Sequence, residues 1–228
     1  MGKNDNGNNG RTELVFVVDR SGSMGGLESD TIGGFNSMLS KQRTIAGACR
    51  VTTLLFDHRI ETLHNHLDIR EVNDLTSRDY WVRGSTALLD AIGLAIDRMI
   101  VTQRHTAAAY RAQHVLFVII TDGYENASRR YSLHQIKQMI TYERERYHWE
   151  FVFLGANIDA EQTAGDFGIS PRCATDFHAD GQGIKASFEA VACAATAVRG
   201  GADLEDLNAP DFLGGVRDDY RSRRRMKR

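Results

Sequence analysis

The chain has 228 residues, 42% of them hydrophobic and 25% charged, with a formal net charge of −2 and a pI near 6.4. This is the composition of one ordinary globular domain with a sizeable core, and its charge balance gives no global field that would draw in nucleic acid or an anionic membrane. No run of about eighteen apolar residues reads as a membrane span, and the polar Met1–Gly10 lacks the apolar stretch of a signal peptide, so a soluble, cytoplasmic protein is expected. Cys49, Cys173 and Cys193 are few, odd in number and widely spaced. That excludes a disulfide framework and suits reduced thiols.

In chain order, residues 1–11 read as a disordered tail, 12–200 as one domain, and 201–228 as an extension with a basic end. Glu13 to Asp19 is a β-branched and aromatic run ending in an acid, the pattern of a strand buried on both faces. A helix is expected over Glu28 to Ile45 from Ile32, Phe35, Met38 and Leu39, with Gly33-Gly34 allowing close packing on the sheet. Arg50–Phe56 and Ile60–Leu67 flank Asp57-His58-Arg59 as a hairpin, which gives one antiparallel edge strand. Ala87–Val101 forms a helix that opens directly after Gly84-Ser85-Thr86. Val115 to Thr121 is the most apolar strand and stops at Asp122-Gly123. A helix over Leu133–Tyr147, a strand over Trp149–Leu154, a short helical segment ending near Gly168, a short strand over Cys173–Phe177 and a last helix through Ile184 to Val198 complete the pattern. Sustained strand–helix alternation implies an α/β fold, a doubly wound, mostly parallel sheet with helices on both faces. Beyond Gly200 periodicity fades, and Arg221–Arg228 reads as a solvated basic tail, with nucleic acid or anionic lipid as its less favoured partners.

Ligands of open α/β sheets bind in the crevice at the carboxyl ends of the strands. Three polar signatures fall there: Asp19-Arg20-Ser21-Gly22-Ser23 after the first strand, Thr86 at a helix start, and Asp122-Gly123 after the most apolar strand. Taken singly, each reads as a turn or a helix cap. Together, Asp19, Ser21, Ser23, Thr86 and Asp122 offer the carboxylate and hydroxyl oxygens that a hard divalent cation such as Mg²⁺ prefers. Neutral hydroxyl ligands would leave much of the cation's charge unbalanced, open to one more anion.

On those residues the sequence resembles a von Willebrand factor A (vWA) domain with a complete metal-ion-dependent adhesion site (MIDAS). The family's Asp-x-Ser-x-Ser stands as Asp19, Ser21 and Ser23, its isolated threonine as Thr86, and its later aspartate as Asp122. Val18–Met24, Thr31–Met38, Ser85–Gly93 and Val118–Ser128 are most similar to the stand-alone bacterial members. The resemblance covers roughly Thr12 to Arg199. It implies a doubly wound fold, Mg²⁺ or Mn²⁺ at the site, and protein recognition through the metal face.

Glu28, Glu125, Asn126, Asn157 and Asp159 are expected on the same rim, as residues that would touch a partner or tune the ligands. Asp90, one turn past Thr86, is a candidate to hydrogen-bond the metal loop. The histidines show no zinc spacing. The expected function is a metal-dependent adaptor or scaffold that recruits a partner protein's Asp or Glu. The alternative is a metal-dependent hydrolase or phosphoryl-handling enzyme, although the chain lacks a P-loop, a nucleophile elbow and an Asp-x-Asp pair.

Overall fold

The computed structural model describes residues 10–226. The expected N-terminal tail therefore falls, as far as residue 9, outside the described residues, and so do the last two residues of the basic run. Six strands form one sheet: β1 (Thr12–Asp19), β2 (Cys49–Phe56), β3 (Ile60–Asp68), β4 (His114–Asp122), β5 (Glu150–Ala156) and β6 (Ala174–Asp176). Their order is β3-β2-β1-β4-β5-β6, with β2–β3 the one antiparallel pair. Asp57-His58-Arg59 makes the hairpin, as its spacing predicts.

The helices are α1 (Glu28–Arg43), α2 (Leu88–His105), α3 (Leu133–Tyr147), α4 (Ala160–Asp166), α5 (Gly181–Arg199) and α6 (Gly214–Met226). α1 packs with α5, and α2 with α3. Both faces of β1 and β4 are covered, so that Leu14 to Val18 and Leu116 to Ile120 are at most 1% exposed. Burial on both sides explains why these strands are continuously apolar rather than alternating. At Gly34 a Cβ would sit 2.3 Å from Phe188 Cδ2. The close packing expected at Gly33-Gly34 therefore belongs to Gly34 and is made with α5 rather than the sheet.

The largest departure from expectation lies beyond Gly200. Gly214–Met226 is a helix, and the basic run through Arg225 forms its last turns. Periodicity is hard to read there because only Leu213 and Val216 are fully buried apolar anchors. Polar contacts hold the rest. The Arg217 guanidinium donates to the carbonyls of Pro171, Arg172 and Ala174 at 3.0–3.1 Å, and Arg223 pairs with Asp180 and Asp219. Arg217 thereby occupies the Ala174 carbonyl of β6, the three-residue strand at one margin of the sheet, and two carbonyls of the turn before it. The other margin, β3, carries Glu61, His64, His66 and Asp68 and is irregular where it pairs with Val51–Leu54.

The chain fills β1, β2 and β3 outward in one direction and β4, β5 and β6 in the other. The reversal lies between β1 and β4. Loops leaving these two strands at their carboxyl ends diverge and leave a crevice, the usual place for a ligand in such sheets.

Candidate metal centre

The loop after β1 starts from Asp19, whose side chain is fully buried. Its Oδ1 accepts from Ser21 N at 2.6 Å, and its Oδ2 from the Thr121 hydroxyl at 2.7 Å and Asp122 N at 3.3 Å. One carboxylate thus ties the β1 loop to the end of β4 across the crevice. Tyr80 holds the same corner from behind, donating its hydroxyl to Asp19 O at 2.6 Å. Ser21 Oγ and Ser23 Oγ lie 3.0 Å apart. Although Ser21 precedes a single 3₁₀ turn, its side chain makes no capping bond there. A helix cap does not explain either serine hydroxyl.

The Thr86 loop is brought in by backbone bonds: Gly22 N to Gly84 O at 3.1 Å, Arg83 N to Arg20 O at 2.9 Å, and Ala87 N to Asp57 O at 2.9 Å. Gly84 has φ +67, and a Cβ there would meet His58 Nδ1 at 2.1 Å, so this crossing requires glycine. Thr86 is 3% exposed and is not the α2 N-cap, a position held by Ala87 without a side-chain bond. Its backbone is fixed from β4's loop, with Thr86 N donating to Asn126 Oδ1 at 2.9 Å and Asn126 N to Thr86 O at 3.0 Å. Asp122, 2% exposed, accepts from Asn157 Nδ2 at 2.5 Å. Gly123 approaches Ser23, whose Oγ would lie 3.5 Å from a Cβ at that glycine. The three segments that carry Asp19, Ser21, Ser23, Thr86 and Asp122 are therefore stitched into one loop cluster.

Burial pushes the carboxyls of both Asp19 and Asp122 up, against the hydrogen bonds that lower them. Among the described residues neither aspartate has an ion-pair partner. The nearest cation in sequence, Arg20, turns the other way: its Nε donates to Asp57 Oδ2 at 3.1 Å and its Nη2 to Glu61 Oε2 at 2.7 Å. Two buried acids beside three hydroxyls, with no cation of the chain to balance them, form a donor set suited to a hard divalent ion. The five candidates include only two carboxylates, and among the described residues no group of three or more His, Cys, Asp or Glu side chains gathers as a metal cluster.

The five expected rim residues mainly hold the loops in place. Glu125 is no free acid: its carboxylate accepts from Leu89 N, Ala127 N, Ser128 N and Ser128 Oγ at 2.6–2.9 Å, locking the β4 loop to the start of α2. Asn126 and Asn157 position Thr86 and Asp122. Glu28 accepts from Gly26 N, and Asp159 caps α4 by accepting from Gln162 N. Asp90 holds the same β4 loop, accepting from Arg129 N, Arg130 N and Tyr131 N at 2.8–2.9 Å.

Three supporting residues are not found by reading the sequence for ligands. Thr121 orients Asp19. Arg20 and Asp57 clamp the β1 and Thr86 loops together, with Asp57 Oδ2 also accepting from Arg83 Nε at 2.8 Å and Oδ1 from Arg59 N at 2.8 Å. Burial opposes ionisation of Asp57, yet the bonds from Arg83 and Arg59 and the two guanidinium charges win and hold its carboxyl below the usual range. The available signal is an acid at the end of β2, beside an arginine lodged between Asp19 and Ser21.

No family model and no curated protein matches the chain. Solved structures do. The vWF domain of the type V pili tip protein Mfa5 from Porphyromonas gingivalis superposes with a TM-score of 0.59 at 12% identity, over 82% of this chain and 95% of that one. Manganese-loaded TRAP protein from Plasmodium vivax gives 0.56 at 18% identity, over 78% and 72%. Proximal thread matrix protein 1 from the mussel byssus, with a zinc-occupied MIDAS motif, gives 0.55 at 13% identity over 82% of this chain. The chain has a vWA fold. It spans 46% of the mussel protein, about half its length. In the vWA fold seen here, the crevice between β1 and β4 is the place where the candidate ligands meet.

Proposed function

We propose that this vWA domain is a divalent-metal-dependent protein-binding module, with Asp19, Ser21, Ser23, Thr86 and Asp122 holding Mg²⁺ or Mn²⁺. The observation that carries the proposal is the pair of buried carboxylates without an ion-pair partner among the described residues, Asp19 and Asp122, in one loop cluster with Ser21, Ser23 and Thr86 at the sheet's reversal point. A bound cation would supply the missing positive charge and an open coordination position for an Asp or Glu of a partner protein. The chain's own residues set the terms of that exchange. Asp19, bonded to Ser21 N, Thr121 and Asp122 N, is fixed before any cation arrives. Asn126 and Asn157 hold Thr86 and Asp122, so little ordering remains to be done on binding. Zinc in the mussel protein and manganese in TRAP support a metal reading of the fold. The proposal includes a cytoplasmic setting, supported by three free cysteines.

The test is thermal unfolding of the wild type, Asp19→Ala and Asp122→Ala, with Mg²⁺ or Mn²⁺ and with chelator. At a hundredfold excess over Kd, a bound ion stabilises by about 2.7 kcal/mol, which for a domain of this size raises Tm by roughly 5–10 °C. The wild type should show that shift and both variants should lose it. Equal shifts in all three would sink the site.

A further inference from the structure

Beside the metal loops, on the β2 side, Trp81 lies between two guanidiniums. Arg83 Cζ sits 4.3 Å and Arg20 Cζ 5.5 Å from its ring centroid. Trp81 is 42% exposed, so part of its ring stays open to solvent beside the two guanidiniums. The two arginines differ in one respect. Arg20 is fully buried and spends its charge on Asp57 and Glu61. Arg83 has a side chain 31% exposed and only Nε bonded, to Asp57 Oδ2 at 2.8 Å, an oxygen it shares with Arg20. Its terminal nitrogens make no hydrogen bond among the described residues, so the outer edge of the guanidinium faces solvent.

We propose that Arg83, stacked on Trp81 and tethered by Asp57, is a second carboxylate anchor beside the metal, and that the docking partner is a protein segment carrying two acidic residues. This rests on the metal-dependent reading above. An arginine normally loses much side-chain freedom when it grips a carboxylate. Here the ring beneath and the buried acid behind have already fixed its plane, leaving two donors in the fork geometry that a carboxylate matches. The bonding pattern points the same way. Asp57 answers two guanidiniums at once, and Glu61, which completes the count, bonds to Arg20 and not to Arg83. The two arginines and two acids cancel in charge, so what would draw a partner's acid is the unfilled terminal donors of Arg83.

Spacing limits the motif. Arg83 and Thr86 are three residues apart, so their Cα atoms are separated by at most about 10 Å. Two acids at alternate positions of an extended peptide stand roughly 7 Å apart on one face, which suits that reach. Tyr124, 62% exposed and two residues past Asp122, offers a second aromatic on the far side of the crevice.

The experiment is an array of synthetic peptides carrying no acid, one acid, or two acids separated by zero to four residues. It is probed with the full chain, Arg83→Gln, Arg83→Lys and Asp19→Ala, in Mn²⁺ and in chelator. In Mn²⁺ the wild type should retain two-acid peptides about tenfold better than one-acid peptides, the discrimination expected of one charge-assisted pair. Arg83→Gln and Arg83→Lys should erase that difference while keeping one-acid retention and the metal-induced rise in Tm. Arg83→Lys keeps the charge and loses the fork, and its melting curve controls for folding if the glutamine variant is unstable. A two-acid preference that survives both substitutions, or its absence from the wild type, overturns the Arg83 anchor. Retention indifferent to chelator and to Asp19→Ala instead overturns the metal reading beneath it. An array that retains nothing in Mn²⁺ overturns both.

Discussion

Asp57→Ala should be among the most damaging single substitutions outside the apolar core, and the structure says by how much. The Asp57 carboxylate is fully buried and accepts from Arg20, Arg83 and Arg59 N, with His58 Nδ1 at 3.0 Å. Its removal strands Arg20, whose side chain is 1% exposed, with Glu61 as its one remaining carboxylate. Removing one partner of a buried ion pair costs about 3–5 kcal/mol, because the other charge stays desolvated. At roughly 2–4 °C per kcal/mol for a domain of this size, the loss in Tm is on the order of 10 °C. The converse change, Arg20→Met, leaves Asp57 with Arg83 and Arg59 N still bonded, so its cost should be nearer the 1.5–3 kcal/mol of a single charged hydrogen bond. Urea unfolding of both variants and the wild type, fitted with a common slope, measures the asymmetry. If Arg20→Met costs as much as Asp57→Ala, the stranded-charge argument is wrong.

Glu13 supplies a pH signature. It is 3% exposed, and burial pushes its carboxyl up to about 8, against a lowering by Arg50. Because its folded value is raised, the native state holds the proton longer, so stability is full near and below the ordinary glutamate range and falls as pH rises toward 8. The slope contributed is at most about 1.4 kcal/mol per pH unit, levelling off above 8. Glu13→Gln should flatten the decline in Tm between pH 5 and 8, and parallel profiles for variant and wild type would exclude Glu13 as its source. Arg217→Ala should free α6, since it deletes the bonds to Pro171, Arg172 and Ala174 together with the pair to Asp211. Hydrogen exchange across 214–226 should rise by one to two orders of magnitude, matching about 1.5–3 kcal/mol of lost local stability. Protection equal to wild type would mean that Leu213 and Val216 suffice.

The sheet is legible in the sequence because its strands are doubly buried: the run Val115–Ile120 has no soluble alternative to the centre of a parallel sheet. α3 is legible to the residue, since Ser132 and Gln135 form a reciprocal capping box at its start and His148 ends it in the left-handed conformation. α6 is not, because it docks through guanidinium-to-carbonyl bonds whose partners lie about forty residues away, and no helical periodicity encodes such contacts. The candidate ligands share this split. Asp19, Ser21, Ser23, Thr86 and Asp122 stand out by residue type and position. Yet the work of Glu125, which reads as a rim acid and instead saturates four donors of its own loop, depends on where Leu89 and Ser128 arrive. Asp57, Arg20 and Arg83 form one charge cluster drawn from three loops, and sequence separation conceals it.

Both margins of the sheet carry features that hinder an incoming strand. At the start of β6 the Ala174 carbonyl already accepts from Arg217, and β3 presents charged side chains on an irregular ladder. Recognition by strand addition, a common route by which exposed sheets take up peptides or copies of themselves, is thereby disfavoured at either side. The end of the sheet differs, since there the backbone is bent into the loops that carry Asp19, Ser21, Ser23, Thr86 and Asp122. A ligand there is chosen for its functional groups rather than for its ability to lie flat. In the proposed reading, that open end is where an acidic partner would dock.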